Sequence, residues 1–209
     1  MLDYEKDIYK KGYKLIVGCD EAGRGPLCGP VVCASCILPM DYQNEIINDS
    51  KKLTDKKRRL LFEEIKKVAL AYSIVAISPE EIDKLNIYEA SRKGMTIAIH
   101  NLDIDPDYIL TDCMPLKEFP NIPQENLVKG DARAMCIAAA SILAKVTRDD
   151  ILEELDKIHP QYNLKKHKGY PTKEHIELLN KYGPIKGLYR YSYKPVQLAA
   201  IEKISLLDE

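Results

Sequence analysis

Asp20 and Glu21 stand side by side after the apolar run Leu15-Ile16-Val17-Gly18-Cys19, and Ala22-Gly23-Arg24-Gly25 follows them. A short apolar run bounded by glycine reads as a buried strand. Carboxylates at its end are costly to bury without compensation, so they need a cation or an opening to solvent. Gly23 and Gly25 let backbone N–H groups approach a ligand closely. Two further acidic positions, Asp112 and Asp131, also follow short apolar runs. If those strands are neighbours, four carboxylates meet at one end of a sheet. Hard oxygen donors suit Mg²⁺ or Mn²⁺, ions that retain water and substrate oxygens. Two such ions about 4 Å apart can activate an attacking water and stabilise the leaving 3′ oxygen of a phosphodiester. An aspartate after a strand is equally a turn or helix-cap residue, and spacing alone does not show that the four converge.

Competing chemistries fit less well. Gly23-x-Gly25 lacks the third glycine of a dinucleotide loop, because Cys28 occupies that position and Pro26 follows directly. No phosphate loop of the G-x-x-x-x-G-K-[ST] type occurs, and none of the four histidines neighbours an obvious nucleophile. Cys33 and Cys36 make a C-x-x-C spacing, but no second pair or suitably spaced histidine completes a zinc site. Residues three apart on a strand face opposite sides of the sheet, so buried, reduced thiols are expected.

The elements that must position the carboxylates follow from pattern. Strands are expected at Leu15–Cys19, Val31–Leu38, Ala71–Ile77, Asp107–Thr111 and Leu127–Lys129. Thr54 caps a helix from Asp55 to Ala69 whose apolar face carries Leu60, Leu61, Ile65 and Val68. Ser78-Pro79-Glu80-Glu81 is a capping box with proline at the first helical position, leading into a longer helix over Ile87–Asn101. Ala134–Ile158 is the longest helical run, Thr172 caps another that ends near Gly183, and Pro195 opens a last amphipathic helix carrying Val196, Leu198, Ile201, Ile204 and Leu207. The first two strands meet without a helix between them, while later ones alternate with helices. This predicts an α/β fold with a mixed β-sheet flanked by helices.

At 209 residues, 45% hydrophobic and 30% charged, the chain reads as one domain of an ordinary globular protein. Its core is expected over about 1–158, with a helical C-terminal part over about 159–209. No apolar run approaches the roughly 20 residues of a membrane span, and the charged, tyrosine-rich start offers no signal-peptide core. A cytoplasmic location is the default expectation. The net charge of −1 conceals asymmetry. Residues 51–59 hold six Lys/Arg against one Asp and residues 160–195 eight against two Glu, whereas residues 75–126 hold ten Asp/Glu against four Lys/Arg. Segregated basic stretches mark a surface for a polyanion, or are simply solvated helix faces.

Several motifs in order resemble those of ribonuclease HII, the type 2 ribonuclease H family. They are Asp20-Glu21-Ala22-Gly23-Arg24-Gly25-Pro26-Leu27, Asn48-Asp49-Ser50-Lys51-Lys52-Leu53, Leu110-Thr111-Asp112 and Lys129-Gly130-Asp131. Ala138–Asp149 and His167-Lys168-Gly169-Tyr170-Pro171-Thr172 complete a set that spans nearly the whole chain. The resemblance implies an RNase H-like mixed sheet with a helical C-terminal extension. It implies a site in which Asp20, Glu21, Asp112 and Asp131 are catalytic and hold two Mn²⁺ or Mg²⁺ ions. It also implies that Gly23, Arg24 and Gly25 sense a ribonucleotide 2′-hydroxyl, the group that distinguishes RNA from DNA. Tyr170 then stacks on the next deoxyribose, excluding a hydroxyl there. Ser50, Lys51, Lys145 and Arg148 are expected on flanking phosphates, although Lys145 and Arg148 also fit a solvated helix face.

The implied activity is an endoribonuclease that cuts the RNA strand of RNA–DNA hybrids and cuts 5′ of single ribonucleotides in duplex DNA. Its partners are those nucleic acids and no membrane, with a monomer expected. The alternatives are a hybrid nuclease of the ribonuclease HIII type and a non-catalytic nucleic-acid-binding module. Two positions depart from the family pattern. Cys113 stands where glycine is common, and Arg190-Tyr191-Ser192-Tyr193 replaces an arginine–arginine–serine–phenylalanine run.

Overall fold

The computed structural model describes residues 2–44, 46–47 and 53–205. Five strands form one mixed sheet in the order β3-β2-β1-β4-β5. They are β1 (Ile16–Ala22), β2 (Val31–Ile37), β3 (Ala71–Ile77), β4 (Tyr108–Asp112) and β5 (Gln124–Leu127). The short glycine–proline loop after β1 returns β2 antiparallel to it, and β3 is antiparallel to β2. Intervening elements carry the chain across so that β4 runs parallel to β1, and β5 parallel to β4, as parallel pairing requires a crossover.

The helices are α1 (Leu2–Lys10), α2 (Asp55–Val68), α3 (Pro79–Leu85), α4 (Ile87–His100), α5 (Met135–Ile158), α6 (Leu164–His167), α7 (Lys173–Tyr182) and α8 (Lys194–Ser205). The expected caps are in place: Thr54, Ser78 and Thr172 accept from the backbone N–H groups of Lys57, Glu81 and His175. On one face of the sheet, Val32, Ala34 and Cys36 pack with α5 and with Leu61 and Ile65 of α2. On the other, Val17, Cys19 and Cys33 pack with Met95 of α4 and Ile82 of α3. Cys33 and Cys36 thus lie in separate cores, and all six cysteines are free. Among the described residues no helix is long and apolar enough to cross a membrane.

Burial rather than capping holds α5. Each fully buried aliphatic side chain contributes about 1.5–3 kcal/mol, against about 1 kcal/mol for a cap, and the helix is buried over most of its first three turns. Its alanines permit close approach to β1, where a β-carbon at Gly18 would overlap the backbone of Cys136. The first residues of α5 have no side-chain cap of their own. The buried carboxylate of Glu5, in α1, accepts from Met135 N (3.0 Å) and Cys136 N (2.9 Å) instead. Sequence patterning assigns no element to residues 2–10, because their apolar positions are few and the partner of Glu5 lies 130 residues away.

Three expectations need correction. The fifth strand spans Gln124–Leu127, not Leu127–Lys129, because Lys129 adopts a left-handed conformation (φ 55°) that turns the chain into a single 3₁₀ turn, Gly130–Ala132. Leu60 is exposed, since α2 buries Arg58, Leu61 and Ile65. Leu198 and Ile201 are exposed on α8, whose buried contacts are Val196 and Ala199; Leu207 lies outside the described residues.

Candidate active site

The parallel pairing of β1 with β4 decides the geometry. Its register sets Cys19 beside Thr111, so Asp20 and Asp112 emerge at the same carboxyl end of the sheet, where ligands of open α/β sheets bind. Asp20 is 4% exposed. It accepts the backbone N–H of Glu21 (2.7 Å) and a hydrogen bond from the Ser141 side chain of α5. Burial pushes its carboxyl well above the usual range, and the neighbouring charges of Glu21 and Asp112 push it further. Glu21 pairs with Arg24 at 3.4 Å. Asp112 accepts the Gly130 N–H at 2.9 Å, which ties the end of β4 to the turn that carries the buried Asp131.

Asp20, Glu21 and Asp112 are therefore brought into mutual electrostatic range, with Asp131 one residue beyond the Gly130–Asp112 hydrogen bond. Among the described residues, no three His, Cys, Asp or Glu side chains are already gathered as around an ion. The fit to a divalent cation rests on the donor set and on Asp20: hard carboxylate oxygens repel one another there, and a hard cation would relieve that repulsion.

A cleft of about 240 Å³ opens beside the carboxylates and is lined by Glu21, the 23–25 loop, Ser141, Lys145, Arg148 and Tyr170. Gly23 adopts φ 103°, and a β-carbon there would overlap the Arg148 guanidinium. Tyr170 is 45% exposed and its ring flanks Gly25. The C-terminal segment seats the loop through backbone bonds from Leu27 N to Gly169 O, from Gly29 N to Leu188 O and from Arg190 N to Leu27 O.

Two buried arginines lie beneath this loop. Arg148 donates to the carbonyls of Cys28 (3.2 Å), Pro30 (3.2 Å) and Lys168 (3.0 Å). Arg190 donates to those of Gly23 (2.7 Å), Arg24 (3.1 Å) and Gly29 (3.1 Å). Burial and mutual repulsion lower the Arg148 guanidinium to about 10, so it still carries its charge at neutral pH. Arg148 is thus not on a solvated helix face, and its guanidinium is held by backbone carbonyls instead of standing free for the phosphate expected from sequence. Its donors are engaged with backbone carbonyls because its helix position faces the interior. Lys145 lines the cleft with its ammonium 2.7 Å from Asp149, and burial lowers it. Ser50 and Lys51 lie outside the described residues.

Sequence reasoning passed over Ser141 and Arg190 as site residues. A lone hydroxyl within an alanine-rich helix was the available signal for Ser141. For Arg190 the signal was its place in the family-like run 190–193, but its acceptors lie more than 160 residues away. Cys113 does adopt the conformation that favours glycine, with φ 55°, and its thiol is exposed. Tyr193 does more than fill an aromatic position, because its hydroxyl donates to Arg24 O at 2.6 Å.

Residues 17–196 match the family model for ribonuclease HII. The chain is 51% identical over 193 residues to the ribonuclease HII of Acetivibrio thermocellus, covering 92% of this chain and 75% of that one. It is similar to the crystal structure of the ribonuclease H2 from Pyrococcus horikoshii, with a TM-score of 0.76, 26% identity, and coverage of 89% and 97%. A Bst-RNase HIII structure in complex with Mn²⁺ shares the fold, with a TM-score of 0.71 at 16% identity, covering 92% of this chain and 71% of that one. The mixed sheet is accordingly RNase H-like, and the chain belongs to the ribonuclease HII family, whose members are endoribonuclease hydrolases.

Proposed function

We propose that this chain hydrolyses the RNA strand of RNA–DNA hybrids and cuts 5′ of single ribonucleotides embedded in duplex DNA. It would leave 3′-hydroxyl and 5′-phosphate ends, a step in removing ribonucleotides from DNA. The observation that carries this reading is one cleft with two unlike walls. Glu21 lines it at the sheet end, next to Asp20, which is itself within electrostatic reach of Asp112, and the glycine loop with the exposed Tyr170 forms the second wall.

Asp20, Glu21 and Asp112 would hold two divalent ions, Mg²⁺ or Mn²⁺, with Asp131 completing the surroundings of the second or positioning water. When bound, such ions supply water activation and charge stabilisation at the departing 3′ oxygen. The chain's own groups do the rest. Ser141 orients Asp20, and the Gly130 N–H orients Asp112. The backbone of Gly23, Arg24 and Gly25 meets the ribose 2′-hydroxyl, and the Tyr170 ring fills the space that a second 2′-hydroxyl would need. Lys145 offers a cation to a phosphate beside the cut.

A labelled DNA duplex containing one ribonucleotide, incubated with Mg²⁺ or Mn²⁺ beside a full RNA–DNA hybrid, tests this. A single cut 5′ of the ribonucleotide, abolished by chelator, is expected. Cleavage of the hybrid alone would replace the reading with a ribonuclease HIII-like activity. Tight binding without any cutting would replace it with a non-catalytic module.

A further inference from the structure

We infer that Arg190, assisted by the Tyr193 hydroxyl, is a positioning residue that sets the ribonucleotide preference of this chain by aiming the amides of the 23–25 loop. This deepens the junction-sensing reading above and rests on it.

A trans peptide unit is planar, with its C=O and the following N–H pointing in opposite directions. Arg190 is fully buried and holds the carbonyls of Gly23 and Arg24 from behind the loop, at 2.7 and 3.1 Å. Those two bonds turn the N–H groups of Arg24 and Gly25 the other way, from the core towards the cleft that the same residues line. The third donor, Nε, takes Gly29 O at 3.1 Å, so one rigid guanidinium spans both ends of the glycine–proline loop. Tyr193 makes the arrangement tighter. Its hydroxyl donates to Arg24 O (2.6 Å) and accepts from Arg190 Nη1 (3.1 Å), and the guanidinium lies 5.3 Å from its ring centroid.

Three separate nitrogens of one planar fork reach the carbonyls of Gly23, Arg24 and Gly29, which a single ammonium nitrogen cannot span in the same arrangement. Lysine keeps the charge and loses the geometry. A site built to hydrogen-bond a hydroxyl discriminates strongly against its absence only while its donors stay aimed. Misaiming two amides should therefore erode recognition of the ribose, while attraction of the protein to the phosphate backbone persists.

The test is binding by the full chain to a duplex with one ribonucleotide and to the all-DNA duplex of the same sequence. Ca²⁺ replaces the catalytic ion, and thermal unfolding is followed in parallel. In Arg190→Lys the preference for the ribonucleotide duplex should fall by about 10-fold or more while all-DNA affinity stays within about 3-fold. Tyr193→Phe removes one oxygen and should cost about 3-fold in preference while the melting temperature stays within about 4 °C of the wild type. If Arg190→Lys does not fold, Tyr193→Phe alone decides. Undiminished preference in the folded variants overturns the inference, as does parallel loss of both affinities, which would mark a merely structural role. A wild type with no preference would overturn the junction reading and this inference together. A wild type with preference beside unaltered variants would overturn only the inference.

Discussion

The two walls of the cleft handle buried charge in opposite ways. At the sheet end, Asp20, Glu21 and Asp112 are held near one another, and Asp20 is pushed upwards by burial and by its acidic neighbours. Beneath the adjoining 23–25 loop, Arg148 and Arg190 are equally buried, yet six backbone carbonyls receive their donors. Backbone carbonyls are permanent partners that fold with the chain, so the arginine wall is rigid and finished. Carboxylates that repel one another keep a share of their energy unrecovered until a cation arrives. On the function proposed above, that difference would separate a wall that recognises shape from a wall that holds ions.

Breaking the acidic wall should have the largest effect. Asp20→Asn should lower turnover on the order of 10³-fold or more, while in chelating buffer it raises stability by about 1 kcal/mol. Activity assays and urea unfolding on the same preparation check both signs. Near-normal turnover would remove Asp20 from the site, and lower stability would show that its burial is compensated after all.

The other wall has its own pH limit. The His175 Nδ1–H donates to Tyr170 O (2.9 Å), its Nε2 accepts the Tyr189 hydroxyl (3.0 Å), and its ring stacks on His167 at 4.0 Å. Burial lowers His175 to about 4, and lowers His167 as well. A histidine lowered in the folded state contributes fully above its unfolded value of about 6.5 and loses that contribution as pH falls through the folded value. Measured in the Asp20→Asn background, where a raised carboxyl no longer gains stability on protonation, stability should therefore drop by about 2 kcal/mol between pH 7 and pH 5. Urea midpoints at the two pH values measure it, and a flat profile would show that the pair accepts a proton in place.

The smallest effect sharpens the contrast at a single backbone angle. Cys113, next to Asp112, holds φ 55° without being glycine. Left-handed strain of about 1 kcal/mol is partly offset by the flexibility that glycine adds to the unfolded chain. Cys113→Gly should thus stabilise by about 0.5 kcal/mol, read as a shift in urea midpoint. A loss of more than that would mean that the thiol's contact with Leu127 O (3.5 Å) outweighs the strain.

Much of this molecule was legible in its residues. The strand before Asp20, the caps at Thr54, Ser78 and Thr172, the long alanine-rich helix and the ordered motifs are local patterns, and local patterns depend on neighbours within a few residues. The acidic positions were legible for the same reason, since each follows its own short apolar run. Tertiary structure alone decided which of them meet. The parallel register of β1 with β4 sets Cys19 beside Thr111, so that Asp20 and Asp112 leave the sheet at the same end, and no spacing encodes a register between segments so far apart in the chain. It also decided what each cation does. Lys145 and Arg148 sit three apart on one helix with the same apparent promise. Yet both line the cleft, Lys145 with its ammonium paired to Asp149 and Arg148 with its guanidinium given to the carbonyls of Cys28, Pro30 and Lys168. Glu5 capping α5 and Arg190 holding Gly23 follow the same rule. Their partners lie more than 100 residues away, and only folding brings donor to acceptor.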